Sequence, residues 1–317
     1  MVENIIKNID ELVFKWLWII NDKQIKVPAP KFIKIETTNY CNGACKYCPH
    51  SGLKREKKEM SSSLFERIIN DCVELKVKEI HLTNFGESLL DSQLFKRIEY
   101  IKSKSKKINT TFITNGFLLN NENIKKIIES KIDKIKISFD GFSSESYEKY
   151  RTSFKFYDIK KKVENLIKNN EKGIKIILNS TYSPSEINRK QIKNFYSEWA
   201  KKVDFIDLQK IHNWAKGKDY YKNSPPCLLP SLYATILVNG DVVPCCLDYE
   251  GKIKLGNIYK ESLRAIWNSK KYEEFRKDAI SLKKRNVLCK KCNVPFLHKK
   301  TPYFSAIKYK FGELIKN

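Results

Sequence analysis

The chain has 317 residues, with 61 Lys and Arg against 36 Asp and Glu, and a formal charge of +25. The length admits two ordinary domains or one large barrel with an appendage. Its 41% apolar residues, 12% aromatics, 11 Gly and 10 Pro exclude wholesale disorder and any collagen-like or low-complexity character; no apolar run reaches the roughly 18 to 20 residues of a membrane span.

Only eight of the basic residues are arginine, and the chain is rich in Asn and Ile. That bias is the mark of A+T-rich codons, and a lysine surplus of this origin is a solvated surface. The functional alternatives are an acidic protein partner, an anionic substrate, a nucleic acid or an anionic membrane. The nine cysteines are more telling, because seven lie in short-range sets. Leu12 to Ile20 is interrupted by Lys15 and lacks a small-residue cleavage site, so no secretory signal is expected. The expectation is a cytoplasmic protein, where clustered thiols mean metal rather than disulfides.

In chain order, residues 4–20 read as an amphipathic helix with Phe14, Trp16 and Trp18. From Lys31 a regular alternation begins. Apolar, β-branched runs at 31–37, 78–84, 108–114, 134–140, 174–181 and 204–209 are separated by helical patterns at 62–75, 92–105, 121–130, 158–171 and 185–201. Six strands alternating with helices predict a parallel α/β sheet. Beyond about residue 212 the pattern changes. "YATILVNGDVVPCC" reads as a hairpin closed by an Asn-Gly type I′ turn. Residues 261–279 read as one amphipathic helix, followed by Cys289, Cys292 and a basic, aromatic tail. The division expected is a lead-in over 1–30, a barrel over 31–212 and a cysteine-bearing extension over 213–317.

Directly after the first strand stands Cys41-x3-Cys45-x2-Cys48. Three thiolates on one loop can hold three corners of a cubane iron–sulfur cluster and leave the fourth iron open to a substrate. The competing reading is zinc, with His50 completing a set of three thiolates and one imidazole. The motif, with Tyr47 just before its third cysteine, resembles that of the radical S-adenosylmethionine (SAM) superfamily. The resemblance runs on through "NFGES" (84–88), "ITNG" (113–116), "ISFDG" (137–141) and "YEKYR" (147–151). It implies an open (β/α)6 partial TIM barrel and a [4Fe-4S] cluster whose open iron takes SAM. It further implies SAM cleavage to a 5′-deoxyadenosyl radical that abstracts a hydrogen atom from substrate. By the same resemblance, Gly86 and Glu87 would hold the SAM amine, Ser138 and Arg151 its carboxylate or ribose, and Asn115 and Asn179 would belong to the same site. Phe85 departs from the pattern, where relatives carry glycine.

Cys227, Cys245, Cys289 and Cys292 form a second constellation, for which a zinc ribbon is the competing reading. It resembles the SPASM/twitch extension that follows many such barrels, in a short α+β form. The implication is one auxiliary [4Fe-4S] cluster, fully ligated, that passes electrons or holds structure. Cys72 reads as core packing. Cys246 is a spare thiol, a ligand that swaps with Cys245, or a hydrogen-atom donor in an epimerase.

Three reactions fit this layout: oxidation of an alcohol, epimerisation, and maturation of a ribosomal peptide. A barrel that begins at residue 31 leaves no room for an N-terminal peptide-recognition domain. The resemblance therefore points to a sugar, cyclitol or glycan-linked substrate. His212 is the candidate base, and a flavodoxin or ferredoxin the expected reductant. The helix over 4–20 either closes the barrel or lies on a membrane surface, which would suit a lipid-linked glycan. A reading of another class is a basic, zinc-containing nucleic-acid-binding protein.

Overall fold

The alternation that begins at Lys31 builds a single sheet. The computed structural model describes residues 29–183, 185, 189–217, 227–281 and 285–294. The helix expected over 4–20 and the basic tail lie outside the described residues. The described residues form two units, the larger within 29–211 and 228–275, the smaller of 212–217, 227, 276–281 and 285–294.

In the larger unit, β1 (Phe32–Ile35), β2 (Glu79–His81), β3 (Asn109–Thr114), β4 (Lys134–Ser138), β5 (Lys175–Tyr182) and β6 (Phe205–Lys210) are parallel neighbours in chain order. The crossovers carry α1 (Ser62–Glu74), α2 (Leu94–Lys104), α3 (Asn121–Glu129), α4 (Ser144–Tyr150), α5 (Phe156–Lys168) and α6 (Arg189–Trp199). This is the open partial barrel that six βα units predict. Each helix starts where local chemistry permits. Ser61 Oγ accepts the Leu64 amide at α1 and Asn120 Oδ1 the Asn123 amide at α3, filling donors left open in a first turn.

The period-2 pattern sorts the strand side chains. Ile33, Ile35, Ile80, Phe112, Ile135, Ile137, Leu178 and Ile206 are buried. They form the core with Leu64, Phe65, Ile68, Ile69 and Cys72 of α1, which confirms Cys72 as a packing residue. Each such aliphatic contributes roughly 1.5–3 kcal/mol of transfer free energy. The alternate residues, among them Lys34, His81, Lys136, Ser138, Asn179 and Asp207, occupy the opposite, half-buried face.

The same sheet continues past β1. After α7 (Leu229–Leu232), β7 (Tyr233–Ile236) pairs parallel to β1, and β8 (Asp241–Val243) and β9 (Gly256–Asn257) follow antiparallel. The order is β6-β5-β4-β3-β2-β1-β7-β8-β9.

Three local expectations are revised. The hairpin turn is not type I′. The Gly240 amide donates to Leu237 O at 2.9 Å, and Gly240, at φ 82°, follows as the left-handed residue. Asn239 keeps a negative φ, so this is the three-residue loop with a terminal glycine. The helix expected over 261–279 breaks at Asn268 and Ser269 into α8 (Leu263–Trp267) and α9 (Lys270–Ile280), where Asn268 Nδ2 bonds Arg264 O. The helix α4 goes unpredicted. It is short and is held by a reciprocal cap between Ser143 and Ser146.

The smaller unit contains, among the described residues, the end of α9 and α10 (Val287–Lys291). Asn286 Oδ1 caps α10 through the Leu288 amide, and Asn213 Nδ2 bonds the Lys291 carbonyl at 2.7 Å. No described helix is long and apolar enough to cross a membrane.

Candidate active site

The C-terminal ends of parallel strands are where βα loops gather. The loop after β1 carries Cys41, Cys45 and Cys48, all half-buried and free of disulfides. Backbone amides serve the sulfurs. Gly43 N–H donates to Cys41 Sγ at 3.4 Å, and the His50 amide donates to Cys48. Burial pushes all three thiols up, Cys48 to about 11, and the charges of Cys45 and Cys41 add to it. Three thiolates would repel one another here, so the loop fits a cationic multi-iron group that takes up their charge. His50, the residue that would complete a zinc set, is buried with Nε2 bonded to Asn39 O at 2.8 Å.

The loop is braced by β4 and α4. Asp140, fully buried, is the hub. Its Oδ2 accepts from Arg151 Nε at 2.6 Å and from the Tyr47 hydroxyl, and its Oδ1 accepts the Thr181 amide at 2.7 Å. Arg151 Nη2 donates to Tyr47 Oη at 3.3 Å, and Nη1 lies 3.8 Å from Cys45 Sγ. Burial works against the guanidinium charge, but Asp140 and the neighbouring acidic groups hold its pKa well above the usual value. Thus Asp140, a residue to which the sequence assigned no role, joins Tyr47 of the cysteine loop to Arg151 and holds both in place. Its only signal was the quoted "ISFDG".

The end of β2 presses against the same loop. A Cβ on Gly86 would lie 2.6 Å from Thr38 O and 2.9 Å from Tyr40 O. Only glycine lets the two backbones approach this closely. Glu87 is buried. Its carboxylate accepts the Leu89 and Asn115 amides at 3.1 and 2.7 Å and the Thr114 hydroxyl. Burial raises its pKa, opposed by those hydrogen bonds. Asn115 Nδ2 donates to Asn42 Oδ1 at 2.7 Å, tying the end of β3 to the cysteine loop. The departure at Phe85 has a packing cause. Its ring stacks on Tyr249 at 4.7 Å and leans on His50 at 5.4 Å.

Ser138 and Asn179 are register partners on β4 and β5, and Asn179 pairs on with Asp207 of β6. Asn179 Oδ1 is buried without a hydrogen-bond partner. Around this row the inward face is unexpectedly charged, with Lys34, Glu79, His81, Lys134, Lys136 and Asp207. Burial lowers the Lys136 pKa against the pull of Asp207, and Lys34 lowers it further. His81 Nε2 meets Glu79 Oε1 at 2.9 Å. The signal for this row was present as charged residues at alternate strand positions, where a packed barrel would carry aliphatic ones.

The second constellation is divided between the units. In the smaller one, the Cys227 amide donates to Ala279 O at 3.0 Å. Burial and the charges of Cys227 and Cys292 push the Cys289 thiol up strongly, opposed by Arg285. His212, in the same unit, lies edge-on to Trp214 at 4.5 Å and accepts the Trp214 amide on Nδ1 at 3.3 Å. Cys245 and Cys246 belong to the larger unit, where Cys246 Sγ lies 3.9 Å from the Tyr233 hydroxyl. Cys227, Cys289 and Cys292, all in the smaller unit, are a thiol-rich set of the kind that fits a second multi-iron group. Among the described residues, no three His, Cys, Asp or Glu side chains converge on a single metal ion.

An α/β half barrel with three thiolates on the loop after its first strand defines an iron–sulfur enzyme. The profile of the Radical SAM superfamily matches residues 35–196, and that of SPASM, the iron-sulfur cluster-binding domain, matches 227–293. The chain therefore belongs to the radical SAM superfamily and carries a C-terminal SPASM domain. It is a radical SAM enzyme, with SAM and [4Fe-4S] clusters as cofactors. The zinc-containing nucleic-acid-binding reading gives way to this membership.

Among curated proteins it is 24% identical over 271 residues to the S-adenosyl-L-methionine-dependent 2-deoxy-scyllo-inosamine dehydrogenase of Niallia circulans, covering 82% of this chain and 92% of that one. It is also 24% identical to the mycofactocin maturase MftC of Mycolicibacterium smegmatis, over 68% of this chain and 54% of that one. Among solved structures, BtrN in complex with AdoMet and 2-DOIA superposes with a TM-score of 0.61 at 21% identity, covering 86% and 97% of the two chains. Streptococcus suis SuiB bound to the precursor peptide SuiA gives 0.65 at 16% identity, covering 89% and 74%. These structures share the fold.

Proposed function

We propose that the protein dehydrogenates a secondary alcohol of a cyclitol, sugar or related hydroxylated molecule. The observation that carries this reading is the match to the inosamine dehydrogenase, which runs nearly end to end in both chains. The inward face supports it. Lys136 and Asp207, half-buried beside the Ser138–Asn179 row, offer a hydroxyl-bearing ligand hydrogen-bond partners of both kinds.

When bound, the open cluster supplies the electron that cleaves SAM and so provides the 5′-deoxyadenosyl radical. The chain's own residues do the positioning. Cys41, Cys45 and Cys48 hold three corners, and Asp140 fixes Tyr47 and Arg151 against them. We assign Gly86, Glu87, Asn115, Ser138 and Asn179 to the SAM-binding wall, and the unpartnered Asn179 Oδ1 is free to accept from the ligand. Dehydrogenation removes a hydrogen atom from carbon, a proton from oxygen and one further electron. Cys227, Cys245, Cys289 and Cys292 would hold the group that accepts that electron. His212 is the candidate for the proton.

The test is an anaerobic, reconstituted enzyme with dithionite, SAM and a panel of aminocyclitols and sugars. A dehydrogenase yields a product two mass units lighter and 5′-deoxyadenosine in equal amounts. A product of unchanged mass in ordinary water that becomes about one mass unit heavier in deuterated water would make it an epimerase, and Cys246→Ala would then abolish deuterium uptake. Turnover of peptides alone would overturn the reading.

A further inference from the structure

The cysteine loop has an outer surface as well as an inner one. Ala44 N–H donates to Ser153 Oγ at 2.9 Å, and Thr152 Oγ1 donates to Ala44 O at 2.8 Å. A Cβ on Gly43 would touch the Phe154 ring at 3.1 Å. Ser153 and Phe154 are also the near wall of a surface cavity of about 420 Å³. The other side of that cavity is Phe117, Ile159, Lys155, Lys161 and Lys162, with Asp158 as the one acid in its lining; Lys155 is paired with Glu148 at 2.7 Å, so Lys161 and Lys162 carry the charge of the rim. Lys162 Nζ sits 4.5 Å over the Phe117 ring and donates to the Phe117 carbonyl. Phe117 is 43% exposed and Tyr157, beside the cavity on α5, 63%. Exposed Lys46 and Lys149 flank the same loop.

An exposed aromatic, Phe117, set among lysines and packed on Phe154, which itself rests on the cysteine loop, forms an interaction surface rather than a random stretch of solvated chain. We propose that this cavity and its lysine rim are the docking site of a small acidic one-electron carrier protein. The position argues for that partner over other anions. Two of the cavity's lining residues, Ser153 and Phe154, rest directly on Ala44 and Gly43 between Cys41 and Cys45, so a redox group seated here approaches the cluster more closely than at the strand N-termini. The charge is complementary, and the aromatics supply a desolvated centre. The exchange is simple: the carrier is oxidised by one electron and the [4Fe-4S] core gains it, going from formal charge +2 to +1. The proposal rests on membership of the radical SAM superfamily and is independent of which substrate is oxidised.

The experiment uses the holoenzyme and reduced flavodoxin as probe. Bleaching of the cluster absorbance is followed by stopped flow, and flavodoxin affinity is measured separately. Lys161→Glu/Lys162→Glu should slow reduction at low salt by roughly tenfold or more and weaken flavodoxin binding in parallel. Dithionite-driven 5′-deoxyadenosine formation should stay unchanged. The control, Lys106→Glu/Lys107→Glu, changes the net charge equally at the opposite end of the strands and should leave the rate intact. Equal slowing in both variants would assign the effect to overall charge and overturn the proposal, as would no slowing in either. Loss of a dimer in the first variant, with the rate unchanged, would give the face to a second copy and overturn it too. If the double reversal lowers iron content, Lys161→Gln/Lys162→Gln is held to the same criteria.

Discussion

Gly86 is fixed by distance rather than by backbone angle. Its missing Cβ would stand 2.6 Å from one carbonyl and 2.9 Å from another, and neither belongs to a side chain that can turn away. Gly86→Ala must push β2's exit from the cysteine loop, at a cost of about 1–3 kcal/mol. Urea unfolding of the variant should show that loss, and reconstituted protein should hold less iron. Asp140 makes a second residue-scale case. Arg151 and Tyr47 both depend on it, and Arg151 is almost fully buried. Asp140→Ala leaves a buried cation without its partner, expected to cost about 3–5 kcal/mol. Arg151→Lys keeps the charge but lacks the planar fork that spans Asp140, Tyr47 and Cys45. It should fold nearer to wild type yet lose cluster stability, read as faster iron release to a chelator.

At the scale of elements, the inward row of charges ties neighbouring strands together. Burial pushes the Glu79 pKa up, but His81 and Lys134 outweigh it and hold it down at about 2. A carboxylate whose folded pKa is depressed stabilises the fold above its unfolded pKa and loses that contribution as pH falls toward the folded value. The stability difference between wild type and Glu79→Gln should therefore be full at pH 7 and shrink from about pH 4.5 to about pH 2, read by urea midpoints of the cluster-free chain. The strands themselves were legible in the sequence, because alternating Ile, Phe and Thr between helical runs leaves few other solutions. So were the cysteine sets, whose spacing is local. Asp140 was hidden because its partners come from residues 47, 151 and 181, and no local pattern marks such a junction. The hairpin turn was misread because Asn-Gly is only a preference. Here Val238 is buried and its amide bonds Glu36, and this tertiary demand selected another loop.

For the whole molecule, the clearest check is iron. Two cubane clusters require about eight irons per chain. Replacing Cys41, Cys45 and Cys48 with Ala should leave about four and abolish SAM cleavage, whereas Cys289→Ala/Cys292→Ala should remove the other four and spare uncoupled 5′-deoxyadenosine formation. The sheet order adds a constraint of another kind. β1, the strand that launches the cysteine loop, is paired on one edge by β7, about 200 residues downstream. On the ribosome, β1 emerges before the other strands and waits with an open edge while nearly two thirds of the chain is translated. Such long-range closure is slow and exposes the nascent protein to mispairing. Of the first six strands, the one that launches the cluster loop is thus the last to be sealed on both edges, and cluster loading belongs after synthesis rather than during it. A nascent chain arrested before residue 228 should stay susceptible to proteolysis around β1, and one arrested after β9 should not.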